Sequence, residues 1–178
     1  MTEEINQPIP AAYNQIDKAT KASGFTMASD ILTCSLLRTL AASKPRGKFL
    51  ELGTGTGLST SWILNGMDDD STLVSIDNDE QFLGIAKSFL GNDKRLTLQH
   101  IDGAAWFEQN KHQTYDYIFA DTWHGKYLLL DDALAMLNKG GLYIIDDMLP
   151  QPNWPDGHAE KAIALEDVLD KRLSLIHI

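Results

Sequence analysis

The chain is short of the features that would tie it to a membrane, a nucleic acid or an oxidising compartment. It has one cysteine, Cys34, so no disulfide can form within it, and no Cys/His grouping has zinc spacing. Cys34 itself reads as a small apolar residue on a helix. No apolar run reaches the roughly 20 residues that a spanning helix needs. The first residues are acidic and followed by Pro8 and Pro10, unlike a signal peptide. Basic residues are scarce: 15 Lys and Arg stand against 25 Asp and Glu, a formal charge of −10. Such a surface repels phosphate backbones and anionic lipid, so nucleic acid and membrane are not expected partners and a cytoplasmic location is.

What is present suits one soluble unit. With 178 residues, 43% of them hydrophobic, the chain can bury a core of its own. Residues 1–22 read as an N-terminal arm and helix, and 23–178 as a single domain without repeats. Helical pattern runs from Ala11 to Ala22 and stops at Gly24. A second helix starts from Ser29 or Asp30, either a fair N-cap, and carries Ile31, Leu36, Leu37 and Leu40. From Lys48 onward short apolar runs alternate with amphipathic ones, which predicts a parallel sheet with crossover helices. Strands are expected at Lys48–Leu52, Thr72–Ile76, Leu96–Ile101, Tyr115–Ala120, Leu142–Ile145 and Leu173–Ile178. Between them lie helices over Asp79–Leu90, with Phe82, Ile85, Ala86 and Phe89 on one face, Ala104–Gln109, Lys126–Leu137 and His158–Leu169. The fold class is α/β, Rossmann-like and doubly wound, with a mostly parallel sheet and helices on both faces.

In such a sheet ligands bind beyond the carboxyl ends of the strands. Acids collect there: Glu51, Asp77, Asp102, Asp121 and the pair Asp146–Asp147. The first strand runs straight into Gly53-Thr54-Gly55-Thr56-Gly57 and then a helix, an arrangement that offers backbone N–H groups and a helix N-terminus to a ligand. A dinucleotide fingerprint would need its third glycine at position 58, which is Leu58. The alternating glycines behind Glu51 instead resemble the first motif of the class I S-adenosylmethionine-dependent methyltransferases. Asp77 stands 26 residues after Glu51, where an acid can accept both hydroxyls of a ribose or cap the following helix. Asp102-Gly103-Ala104-Ala105-Trp106 is similar to the motif that frames the adenine. Trp106 either stacks on that ring or belongs to the core. Ser59, at the helix start, is a donor for the cofactor's carboxylate.

Asp121-Thr122-Trp123-His124-Gly125-Lys126-Tyr127 resembles the corresponding turn of catechol O-methyltransferase and its bacterial relatives. Those enzymes and the caffeoyl-CoA O-methyltransferases share a divalent metal held by the acid after strand four and an Asp-Asn pair after strand five. The resemblance therefore implies Asp121, Asp146 and Asp147 as ligands of Mg²⁺, Mn²⁺ or Ca²⁺, hard cations that take hard oxygen donors. Strand-end acids without a metal are the other reading. Position 147 departs from the pattern, being Asp where the relatives have Asn. His124 stands where the catechol enzyme carries a catalytic lysine, and is either a general base or a solvent-facing turn residue, with Lys126 its competitor. By resemblance Trp123 lies against the cofactor, and Met27, 24 residues before Glu51, is either a cofactor contact or core. His100 and His177 read as packed within strands, His112 as a loop residue, and His158 with Trp154 as a wall of the acceptor pocket.

The expectation is an S-adenosylmethionine-dependent O-methyltransferase acting on a small catechol-like or phenolic acceptor with help from a divalent cation. The alternatives are a metal-independent methyltransferase, a nicotinamide-dependent oxidoreductase, and a non-catalytic protein that binds the cofactor. The sequence has no candidate for the seventh strand of class I methyltransferases. Either the fold lacks it, a homo-oligomeric partner covers the sheet edge, or the chain is cut.

Overall fold

The computed structural model describes residues 8–149, Trp154 and 157–172. Its sheet has the strand order β3-β2-β1-β4-β5, every neighbouring pair parallel. The strands are β1 (Lys48–Leu52), β2 (Thr72–Asp77), β3 (Leu96–His100), β4 (Tyr115–Ala120) and β5 (Leu137–Ile145). The helices are α1 (Tyr13–Ser23), α2 (Ile31–Ala42), α3 (Leu58–Gly66), α4 (Glu80–Leu90), α5 (Gly103–Asn110), α6 (Leu130–Ala135) and α7 (His158–Arg172). The order reverses between β1 and β4, so their carboxyl ends define the switch point where a doubly wound sheet opens its ligand crevice.

Alternation along the central strands builds two cores. Phe49, Tyr117 and Phe119 point to one face and pack with Ile16 of α1, Leu37 and Ala41 of α2, Ile63 and Leu64 of α3 and Leu90 of α4. Leu50, Leu52, Ile118 and Ala120 point to the other, against Trp106 and Phe107 of α5 and Ala133 and Met136 of the α6 end. Both faces being covered explains why β1 and β4 read as continuous apolar runs. No helix among the described residues is long and apolar enough to cross a membrane.

Four expectations change. The helix expected over Lys126–Leu137 shrinks to α6, because Gly125 (φ 85°) and Leu129 (φ 56°) take left-handed conformations that no helix continues through. The N–H groups of Lys126, Tyr127 and Leu128 instead converge on the Trp123 carbonyl. The strand expected at Leu142 begins at Leu137, and pairing with β4 jumps from Tyr115↔Leu137 to Tyr117↔Leu142, so Asn138–Gly141 bulges out. On α4 the buried positions are Leu83, Ala86 and Leu90, while Phe89 is exposed and Phe82 turns to meet Phe25, the tilted rings 4.7 Å apart between centroids. His100, expected to be packed, is exposed and bonded to the Asn78 carbonyl. The sixth strand expected at 173–178, with His177, lies outside the described residues.

Acids at the strand ends also start helices. Asp79 caps α4 through Phe82 N and Asp102 caps α5 through Ala105 N. Asp30 caps α2 by accepting from Leu32 N at 2.7 Å, Thr33 N at 3.1 Å and the Thr33 hydroxyl at 2.8 Å. Asp30→Ala is expected to cost about 1 kcal/mol, the usual worth of an N-cap. Urea unfolding followed by circular dichroism checks this as a lower midpoint at unchanged slope.

Candidate functional site

The site starts from a carboxylate that never reaches solvent. Glu51 on β1 is fully buried and accepts hydrogen bonds from Ser59 Oγ at 2.7 Å, Thr60 Oγ1 at 2.6 Å and Ser75 Oγ. Thr54 of the glycine loop shares a hydroxyl contact with Ser75 at 2.6 Å. One side chain thus joins β1, the first turn of α3 and β2 around the loop. Burial pushes its pKa up to about 7, against the pull of the three hydroxyls. Glu51 is therefore a fastening beneath the cleft, where the sequence suggested a wall of it.

The loop above it is drawn tight. Gly53 has φ 102°, and a Cβ there would lie 2.7 Å from the Asp121 carbonyl oxygen, so β4's end presses on it and only glycine fits. Gly55 N donates to Asp77 Oδ2 at 2.7 Å, and Asp77 Oδ1 accepts from Asp79 N at 2.8 Å. From the other side Thr20 of α1 meets Thr56 at 2.7 Å, which ties the N-terminal helix to the loop.

Between this loop, the segment Phe25–Ser29 and the end of β4 lies an open cleft. Gly53, Gly55, Ser59, Asp77, Asp121 and Trp123 line it, as do Met27, Lys126, Asp147 and His158. A polar hollow between Thr26–Asp30 and the pair Asp146–Asp147 adjoins it. Other expected site residues lie elsewhere. Gly57 is at the α3 start against Ala86, and Gly103 and Ala104 form the first turn of α5, off the cleft wall. Trp106 is 1% exposed among Leu50, Ile76 and Ile118, so of its two readings the structure gives the core. His124 turns its ring onto α5, where a Cβ on Gly103 would come within 2.5 Å of it, and does not line the cleft.

Lys126, the competitor, does. It is 4% exposed, its Nζ donates to the Asp146 carbonyl oxygen at 2.7 Å and stands 5.3 Å from the Tyr127 ring centroid. Burial lowers its pKa, while the carboxylates of Asp121, Asp147 and Asp146 oppose that shift. Asp121 is held well above the usual carboxylate range by burial and by Asp146 and Asp147. Asp146 is raised as well, mainly by burial. Asp147 adopts a left-handed φ of 54° and donates its N–H to Asp146 Oδ1 at 2.9 Å. Among the described residues no three His, Cys, Asp or Glu side chains are grouped so as to hold a metal ion. The outer wall is aromatic. His158 Nε2 meets the Tyr127 hydroxyl at 3.0 Å, its ring lies 4.3 Å from that of Trp154, and Lys161 Nζ sits 4.1 Å over Trp123. Sequence reasoning missed Phe25 and Ser29, whose hydroxyl donates to Asp121 Oδ2 at 3.3 Å. Neither carries a local pattern that marks a site.

The geometry agrees with what the chain is similar to. A family model described as a methyltransferase domain matches residues 50–148, more than half of the chain, and the chain belongs to that family. It is 27% identical over 155 residues to a Dictyostelium discoideum protein named "Probable caffeoyl-CoA O-methyltransferase 2", covering 79% of this chain and 66% of that one. A Mycobacterium avium protein named "Putative O-methyltransferase" is 43% identical over 53 residues, 30% of this chain and 22% of that one. The chain thus spans just under two thirds of the first relative and about a fifth of the second. The fold is that of the Bacillus cereus O-methyltransferase solved in complex with SAH, with TM-score 0.81 and 16% identity over 94% of this chain and 82% of that one. TomG from Streptomyces achromogenes, an O-methyltransferase of tomaymycin synthesis solved with SAM, gives TM-score 0.81 and 19% identity over 95% and 82%.

Glu51 binds its proton more tightly in the folded chain than in the unfolded one. Its contribution to stability is therefore greatest below the unfolded value of 4.5 and falls as pH rises towards about 7. At about 1.4 kcal/mol per pKa unit the fall is on the order of 3 kcal/mol. Glu51→Gln is expected to make the decline of melting temperature over that pH window shallower, leaving the part due to Asp121 and Asp146. A decline as steep as the unsubstituted chain's contradicts the assignment.

Proposed function

We propose that the cleft above Gly53–Gly57 binds S-adenosylmethionine and that the chain passes its methyl group to a hydroxyl of a small catechol-like or phenolic acceptor. The observation that carries this reading is one cleft lined at one end by the glycine loop with Asp77 and at the other by Asp121, Trp123 and Lys126. Asp77 is suited to accept ribose hydroxyls, and Met27 and Trp123 to cover the sulfonium; the Ser59 hydroxyl, expected to donate to the amino-acid end, is taken by Glu51. Acids on the rim favour that cation over the neutral thioether left after transfer, which helps the product leave.

For the chemical step the acceptor's oxygen must be deprotonated and aligned with the methyl carbon. Asp121 is suited to take the proton, because burial and its acidic neighbours make its carboxylate a stronger base than usual. Lys126 is suited to hold the resulting oxyanion. The oxygen then forms its bond to the methyl carbon as the carbon–sulfur bond breaks, and sulfur departs as a neutral thioether. His124 has no part, since its ring lies on α5. The divalent cation implied by the resemblance is not given a step, because the residues present do not form a three-donor set and an ammonium already stands among them. Trp154, His158 and Tyr127 form the wall against which a flat acceptor packs.

Titration calorimetry with S-adenosylhomocysteine tests the cofactor half. Saturable binding in the micromolar range is expected. Asp77→Asn should weaken it about tenfold or more, the worth of hydrogen bonds to a charged acceptor, and also lower the melting temperature, because the amide leaves Gly55 N or Asp79 N without its acceptor. No binding at millimolar ligand contradicts the reading.

A further inference from the structure

The acceptor end of the cleft contains a positive charge in an unusual setting. Lys126 leaves the turn after β4 and buries its ammonium in the cleft that Asp121 after β4 and Asp147 after β5 also line, with Asp146 on the adjoining hollow. The lysine's bond to the Asp146 carbonyl oxygen fixes it there. The turn is shaped to deliver it. Gly125 lies against Leu52 and the Tyr143 hydroxyl in a left-handed conformation, and three backbone N–H groups fold onto the Trp123 carbonyl. A buried ammonium needs compensating charge, and three crowded carboxylates need a cation. Here the ammonium and the acids share one cleft and its adjoining hollow, without a direct ion pair between them. A divalent ion brought to these acids would meet the ammonium at close range in a medium that screens poorly.

We propose that Lys126 is this chain's resident cation: its ammonium, held by the Asp146 carbonyl oxygen in the cleft that Asp121 and Asp147 also line, fills the role that a divalent ion would otherwise take, and the chain needs no such ion. The inference deepens the methyl-transfer reading by saying what balances charge at that site, and it rests on that reading only for the acceptor's identity.

Its test does not require turnover. The protein is stripped with EDTA and titrated with Mn²⁺, bound ion being counted by electron paramagnetic resonance. The unsubstituted chain is expected to show no saturable binding below millimolar Mn²⁺. Lys126→Met, which keeps the buried stem and removes the charge, should gain saturable binding at least tenfold tighter. Lys126→Arg, which keeps the charge, should gain none. Lys126→Gln replaces the methionine variant if circular dichroism shows that the latter does not fold. Stoichiometric micromolar Mn²⁺ binding by the unsubstituted chain overturns the proposal, as does a folded neutral variant that binds Mn²⁺ no better. Loss of S-adenosylhomocysteine binding alone would sink the cofactor reading and leave this one standing.

Discussion

The structure depends on burying one acid where β1 ends. An isolated carboxylate in that position would be expensive to desolvate, and three hydroxyls from two further elements offset the cost. In doing so they lock α3 to β1 and β2, and with them the ends of the glycine loop. The loop's tight path, with Gly53 against the Asp121 carbonyl and Gly55 bonded to Asp77, is possible only on that rigid base. Glu51 therefore influences the ligand cleft without lining it. A residue adjacent to a binding motif in sequence here acts from the layer beneath.

Above that base the cleft has two ends of different character. The loop end offers backbone donors and one carboxylate, the surface to which the proposed reading assigns the adenosyl group and the sulfonium. The β4–β5 end packs three acids and one lysine into a partly buried space, where charges act on each other strongly. Raised Asp121, raised Asp146 and lowered Lys126 share burial as their first cause; the neighbouring acids add to it at Asp121 and oppose it at Lys126. The N-terminal part joins the two ends. α1 holds the loop through Thr20, Phe25 meets Phe82 of α4, and Ser29 reaches Asp121.

Much of the fold was legible because buried parallel strands announce themselves. Lys48–Leu52 and Tyr115–Ala120 lie where their apolar runs say, and Asp30 caps as its residue type suggests. The failures share a cause: tertiary demand overrode local pattern. Lys126–Leu137 has helical spacing, yet its first residues are taken by a turn that carries Lys126 to the acids. Phe82 was assigned to a core face, but an aromatic partner 57 residues earlier draws it aside. On the cleft, the loop, Asp77 and Asp121 were readable from their places at strand ends, since backbone connectivity alone brings strand ends together, and Trp123 from the family resemblance of its turn. The directions of Trp106 and His124 were not, because a rotamer choice decides between core, helix and cleft. The hydroxyl shell of Glu51 was also invisible, serine and threonine being too common to signal a partner.

The most direct measurement is a crystal structure of the chain grown with S-adenosylhomocysteine. The account predicts the ribose hydroxyls at the Asp77 carboxylate, the homocysteine chain over Gly53–Gly55, and sulfur facing the space between Trp123 and Lys126. A ligand bound elsewhere, or a cleft that stays empty at saturating ligand, would contradict it.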